Sequence, residues 1–246
     1  MLTGSADLET LGRNAPTLEV FDTAPVSLPD VETLQVFSEV ERSGSDALLP
    51  PGLHPTLPPC VTWMVQHVPE SPWGSFRLAQ CRVECRSGLR QRGFLRRGVI
   101  DNERALAALE TRWGYGLRSG EVVRSRGYDR VRATVDLAGA RVLDLTLGQP
   151  SPLAPGDIHY VASMHLAQTP RGLLLVQVDP EFEVSRAERG EPLVSAFDAE
   201  AWGSPGLHPS FPVSASFSVA TLTLPALRFA CRPELLAFQG TERLDV

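Results

Sequence analysis

Hydrophobic and polar positions along this chain alternate mostly with the period of a strand, and one stretch alone keeps the period of a helix. From Tyr128 to Leu137 the side chains of Val131, Ala133, Val135 and Leu137 fall on one face and those of Arg130, Arg132, Thr134 and Asp136 on the other, which predicts a half-buried strand. Gly139 then supplies a hairpin turn, and Leu143, Leu145 and Leu147 bury the strand that follows. The same reading predicts strands over Cys60–Val68, Phe76–Arg86, Leu89–Ile100, Ile158–Ala167, Gly172–Val178 and Phe217–Leu224, with a short helical turn near Phe197–Trp202. In the second of these Phe76, Leu78 and Gln80 alternate with Arg77, Ala79 and Cys81; in the third, Gly93 and Gly98 mark bulges or close backbone approach. The helix runs from Asp101, read as its N-cap, through Leu106, Leu109 and Trp113 at helical spacing, and stops at Gly114.

Seven prolines between positions 25 and 59 argue against a long helix before residue 60, leaving extended segments. One proline-rich octet recurs: Pro51-Gly52-Leu53-His54-Pro55-Thr56-Leu57-Pro58 returns as Pro205-Gly206-Leu207-His208-Pro209-Ser210-Phe211-Pro212, and both copies read as proline-fixed lead-ins to strands. Residues 1–15 are polar and uncapped and are expected to be a mobile N-terminus, with residues 16–240 forming a single domain. One principal helix among many short strands predicts a mainly β, α+β fold: an antiparallel barrel or a pair of packed sheets.

With 43% hydrophobic residues in 246, the chain can bury a substantial core. A net charge of -6 argues against a general nucleic-acid binder, and no run of roughly 20 apolar residues predicts a membrane helix. The start lacks the pattern of a secretory signal, and four cysteines form neither a disulfide framework nor paired metal-ligand motifs, so a cytoplasmic protein with reduced thiols is expected. The charge is uneven: residues 77–132 hold 14 arginines against six acids, enough to line an anion-binding pocket or a subunit contact, or simply to solvate strand faces. All 23 basic residues are arginine; the chain contains no lysine.

The segment Trp113-Gly114-Tyr115-Gly116-Leu117-Arg118 after the helix resembles the acetoacetate decarboxylase family, in which a helix leads to Trp/Phe-Gly-Tyr-Pro-Lys-Lys at the pocket. The first lysine of that motif forms the Schiff base and the second is its neighbour; here these positions hold Leu117 and Arg118. The family's Gly-x-Tyr-x-Glu pattern is matched by Gly74-Ser75-Phe76-Arg77-Leu78, with Leu78 in place of the acid, and the first proline octet resembles the family's Leu-Pro-x-x-Leu-x-Pro approach. The resemblance spans roughly residues 20–235. It implies a curved double sheet or barrel around an apolar pocket and assembly into homo-oligomers. It also implies that Schiff-base catalysis is lost, since arginine is a poor nucleophile and only the N-terminal amine remains to form an imine.

Within that frame Arg118 is the candidate clamp for a carboxylate, unless it points outward or pairs with Glu121. Tyr115 is a candidate proton donor or a core aromatic. Phe76, Leu78, Trp113 and Leu117 are expected to line a pocket, and His54 and His208, if their loops meet, to carry protons or bind ligand. No metal site is expected, and the absence of Walker, Rossmann and Gly-x-Ser-x-Gly patterns implies no nucleotide cofactor and no serine nucleophile. The leading expectation is a protein that binds a small carbonyl compound or oxo-acid, or acts on it by acid/base chemistry. A hydrolase, dehydratase or cyclase on the same scaffold and a non-catalytic binding or assembly protein are the alternatives.

Overall fold

A computed structural model describes residues 2–21 and 24–244; Met1, and with it the N-terminal amine, lies outside the described residues. The strands are β1 (Val26–Val40), β2 (His54–Pro55), β3 (Cys60–Val68), β4 (Phe76–Ser87), β5 (Arg90–Ile100), β6 (Leu117–Ser119), β7 (Glu121–Arg126), β8 (Arg130–Leu137), β9 (Ala140–Leu153), β10 (Ser163–Thr169), β11 (Gly172–Val178), β12 (Glu181–Phe197), β13 (Pro209–Leu224), β14 (Phe229–Cys231) and β15 (Thr241–Arg243). The helices are α1 (Leu8–Arg13), α2 (Arg42–Leu48), α3 (Glu103–Trp113) and α4 (Ala237–Gly240). The strands join in the order β15-β14-β11-β10-β5-β4-β3-β1-β13-β12-β9-β8-β7, with β2 added to β4 and β6 to β5.

This path has two ends, so the expected barrel is corrected to an open, mainly antiparallel sheet; β15 and β7 are not paired with each other. Both faces of its central strands are nonetheless covered. Along β3 and β4, Val61, Trp63, Val65, Ala79, Cys81 and Val83 enter one apolar core, closed from the far side by β8 and β9 through Val131, Val135, Leu143 and Leu145. On the opposite face Phe76, Leu78 and Val68 join a second core with α3, which contributes Ala105, Leu109 and Trp113. Because a strand shows alternate residues to opposite faces, burial on both sides explains why almost every residue of β4 is buried.

The long helix forms where its spacing predicts, but Asn102 rather than Asp101 is its N-cap: Asn102 Oδ1 accepts from the backbone N–H groups of Arg104 (2.9 Å) and Ala105 (3.0 Å). Asp101 instead accepts from the Arg77 backbone N–H (2.6 Å) and pairs with its guanidinium (3.1 Å). At the other end Gly114 adopts φ 66°, a left-handed cap that a side chain would strain. The strand predicted over Ile158–Ala167 begins only at Ser163. The preceding segment gives its carbonyls elsewhere: Gln35 donates to His159, Arg82 to Val161 and the Gly93 backbone to Ala162. The N-terminal stretch read as uncapped carries α1, capped by the Asp7 carboxylate on Glu9 and Thr10, and Gly4, Ser5 and Ala6 bond to Leu53, Asp46 and Leu49. The two proline octets do lead into β2 and β13. Each turns through the same bond, Leu53 N–H to Pro50 and Leu207 N–H to Ser204, both at 3.0 Å.

Candidate functional site

The second core does not stay apolar. Along β4 the face that starts with Phe76 and Leu78 continues as Gln80, Arg82 and Glu84, all buried; beside it β3 adds Thr62 and Gln66, β1 adds Thr33 and Gln35, and β10 adds Ser163 and His165. These groups form a hydrogen-bonded chain. Arg82 donates through Nε (3.0 Å) and Nη2 (2.6 Å) to Gln80 Oε1, Gln80 Nε2 donates to Gln66 Oε1 (3.1 Å), and Gln66 Nε2 reaches Thr33 (3.5 Å).

Arg82 is the centre of this band. Its Nη1 donates to the Val161 carbonyl at 3.2 Å, and among the described residues no carboxylate forms an ion pair with it. A guanidinium has five N–H donors, so amide and carbonyl partners leave capacity, and a buried cation with no counter-charge is costly unless an anion joins it. Desolvation lowers its pKa, with Tyr115 and Glu84 acting the other way. Gly93 on the neighbouring strand makes room: a Cβ there would stand 3.2 Å from Arg82 Cβ and Cδ.

Three further groups carry chemistry around it. Glu84 accepts from the Thr62 hydroxyl (2.5 Å) and from Gln91 (3.3 Å), and burial pushes its carboxyl up to about 7 despite these bonds. His165 bonds the Trp113 carbonyl through Nδ1 at 2.8 Å, which fixes the proton on that nitrogen and leaves Nε2 a buried acceptor with no partner. Desolvation holds this ring neutral, with a pKa pushed down to about 3. Tyr115 packs edge-on against it, ring centres 4.2 Å apart, and burial raises its phenol, keeping it protonated.

Of the residues singled out in sequence, Phe76, Leu78, Trp113, Tyr115 and Leu117 all belong to the second core. Leu78 and Leu117 meet over Gly98, where a Cβ would lie 3.4 Å from one and 2.5 Å from the other, so the family's glutamate and lysine positions are neighbours here and both are leucine. Arg118 is exposed, on the rim of a 460 Å³ hollow beside the Gly114–Gly116 bend. His54 donates from Nδ1 to the Leu2 carbonyl (2.7 Å) and His208 is exposed; no hydrogen bond joins the two among the described residues.

Arg82, Glu84 and the free nitrogen of His165 were not anticipated. Gln80, Arg82 and Glu84 opposite an apolar Ala79, Cys81 and Val83 read as an ordinary solvated strand face, and the one available signal was Gly93, a glycine in a strand with a close neighbour. A larger hollow of 950 Å³, lined among others by Gln35, Tyr160, Val161 and Ser216, opens beside the band, and one of 390 Å³ reaches Glu84. They adjoin through Phe37, Cys60 and Gln91. Among the described residues no cluster of His, Cys, Asp and Glu is suited to a metal ion, and no helix is long and apolar enough to cross a membrane.

The family model for acetoacetate decarboxylase matches residues 14–164, and the chain belongs to that family. The fold is shared with an acetoacetate decarboxylase from Legionella pneumophila subsp. pneumophila str. Philadelphia 1 (19% identity, covering 83% of this chain and 86% of that one, TM-score 0.73). It is shared also with the enduracididine biosynthesis enzyme MppR complexed with pyruvate (17% identity, 84% and 90% covered, TM-score 0.68) and an acetoacetate decarboxylase-like enzyme from Sphingomonas wittichii RW1 (17%, 91% and 94%, TM-score 0.64). Comparison with curated proteins finds no match.

Proposed function

We propose that this protein binds a small oxo-acid in its interior, holding the carboxylate on Arg82, and that it moves protons there without forming an imine. One observation carries the reading: Arg82 is a buried guanidinium with donor capacity, bonded to an amide and a carbonyl, and among the described residues no carboxylate is in an ion pair with it. The planar fork of an arginine matches a carboxylate through two parallel bonds. The clamp expected of Arg118 passes to Arg82 on this reading, because Arg118 lies outside the buried band, on the exposed rim of the 460 Å³ hollow.

Glu84 is the group poised to give or take a proton near neutral pH, since a carboxyl at about 7 is present in both forms. Tyr115 can donate a hydrogen bond to a carbonyl oxygen, and neutral His165 can accept one at Nε2. Leucine at both positions where the family places lysine and glutamate, in a chain without lysine, leaves no side-chain amine to attack the carbonyl. The structure of MppR complexed with pyruvate supports the choice of a 2-oxo acid as first probe.

Titration calorimetry with pyruvate and acetoacetate is the test. Arg82→Met is expected to lose roughly 100-fold in affinity, on the scale of two charge-assisted hydrogen bonds, whereas Arg118→Gln is expected to bind like the wild type. Arg82→Lys, which keeps the charge without the fork, should fall between them and guards against misfolding of the methionine variant. Unchanged binding in a folded Arg82→Met protein would end the proposal. Exchange of the pyruvate methyl protons in deuterated water, followed by NMR, reads the proton step and should slow in Glu84→Gln.

A further inference from the structure

The hollow beside the glycine-tyrosine bend is a different place from the Arg82 band, and its walls are cationic. Opposite β4, the register of β5 slips by one residue: Cys81 pairs with Arg97 but Arg82 with Leu95, so Arg96 is an extra, unpaired residue. Such a bulge turns two successive side chains to the same side. The packing shows it, since Phe94 before the bulge and Val99 after it both enter the first core, while Leu95 and Ile100 both enter the second. Arg96 and Arg97 are therefore aimed to one side. Parallel pairing of β6 with β5 sets Arg118 beside Val99, on that same side, and Leu117 beside Gly98 on the other.

Three guanidiniums thus line one hollow of 460 Å³, and among the described residues none of them is in an ion pair. Arg96 donates from Nη2 to the Gly203 carbonyl at 2.5 Å, yet its Nε is buried without a partner. Burial pushes Arg96 down to about 10, and Arg97 is lowered by burial and by the charge of Arg118. Two acids share the wall and are bonded to neutral donors, Asp7 capping α1 through Thr10 and Glu9 and Glu110 accepting the Leu117 backbone N–H at 3.1 Å, so three guanidiniums face two carboxyl groups. Like charges held together at a partly dehydrated wall favour a bound counter-charge. Thr10 and Asn14 add polar groups to the wall, and Phe94, Leu48 and Leu166 are among its apolar ones.

We infer that this hollow is a second ligand site, taking a small molecule with a multiply charged oxyanion, phosphoryl or polycarboxylate, gripped by Arg96, Arg97 and Arg118 with its apolar part against Phe94. It is separate from the interior oxo-acid site, facing the other side of β5. Leu117, whose side chain meets Leu78 over Gly98, also reaches the wall of this hollow beside Arg118.

The experiment is thermal unfolding with pyrophosphate, citrate or sodium chloride at matched ionic strength. Pyrophosphate or citrate is expected to raise Tm beyond the chloride control in the wild type and in Arg82→Met, and the better of the two identifies the anion as phosphoryl or carboxylate. In Arg97→Gln/Arg118→Gln the affinity read from the concentration dependence should fall roughly tenfold for each guanidinium removed. Arg118→Gln alone, at an exposed position, serves if the double variant folds poorly. Equal shifts in wild type and Arg97→Gln/Arg118→Gln, or shifts that chloride reproduces, would overturn the inference. Loss of the effect in Arg82→Met alone would assign the anion to the interior site instead. Failure of pyruvate binding leaves this result intact, since the two sites share no arginine.

Discussion

Arg82 carries its charge in an almost wholly buried place, and the groups bonded directly to it are neutral. Gln80 accepts two of its N–H groups and Val161 a third, which satisfies donors without an ion pair, and Glu84 acts on the charge only from a distance. The position is held by space as well as bonds. Gly93→Ala places a methyl 3.2 Å from the Arg82 side chain and 3.6 Å from Glu84 Oε1, and is expected to weaken pyruvate binding roughly tenfold through displacement of the guanidinium. Calorimetry of the alanine variant checks this. A second prediction concerns the missing amine. Pyruvate followed by borohydride should leave no side-chain adduct on the wild type, and Leu117→Lys, which puts an amine against Leu78 where desolvation lowers its pKa, should become labelled. Mass spectrometry of the reduced proteins reads both outcomes.

At the scale of elements, α3 and the bend that follows it fix the site from one side. Asn102 does more than cap the helix. Its Oδ1 takes two backbone N–H groups while its Nδ2 donates to the carbonyls of Trp73 (3.3 Å) and Ser75 (3.0 Å), tying the helix start to the turn before β4. Asn102→Ala should therefore cost about 1–2 kcal/mol, and Asp101→Ala, which removes a partly exposed ion pair and one backbone bond, less; urea midpoints of the two variants rank them. The helix was legible because apolar spacing and a terminal glycine are local signals. The cap was misplaced by one residue because Asp and Asn are equally good caps in isolation, and only the Arg77 partner drew Asp101 away. The segment before β10 was misread for a related reason: Ile158–Ala162 has strand composition, but its carbonyls are taken by Gln35, Arg82 and the Gly93 backbone.

Across the whole molecule, the buried ionisable groups leave opposing marks on stability. Glu84 titrates near 7 when folded and near 4.5 when unfolded, so the folded state holds the extra proton and stability falls as pH rises between those values. His165 titrates near 3 folded and 6.5 unfolded, so the unfolded state binds the extra proton and stability is lost as pH falls below 6.5. Over pH 4.5–6.5 the two slopes oppose. Glu84→Gln removes the first, so its stability should climb with pH over that window more steeply than the wild type's and should not decline toward pH 7. Urea unfolding followed by tryptophan fluorescence at a series of pH values measures both curves.

Periodicity, glycine and proline placement and the motif around Gly114-Tyr115 were enough to give the strands of the first core, the helix, the family and the loss of the lysine, because each is written in neighbouring residues. What the sequence could not give was which strand faces lie inside. Gln80, Arg82 and Glu84 look like a wet face until β1, β3, β10 and the Ile158–Ala162 segment close over them, and Arg96 and Arg97 look like alternating side chains until a one-residue slip against β4 turns them together. Burial and register are set by chain segments distant in sequence, and so the sites themselves were decided by the tertiary structure.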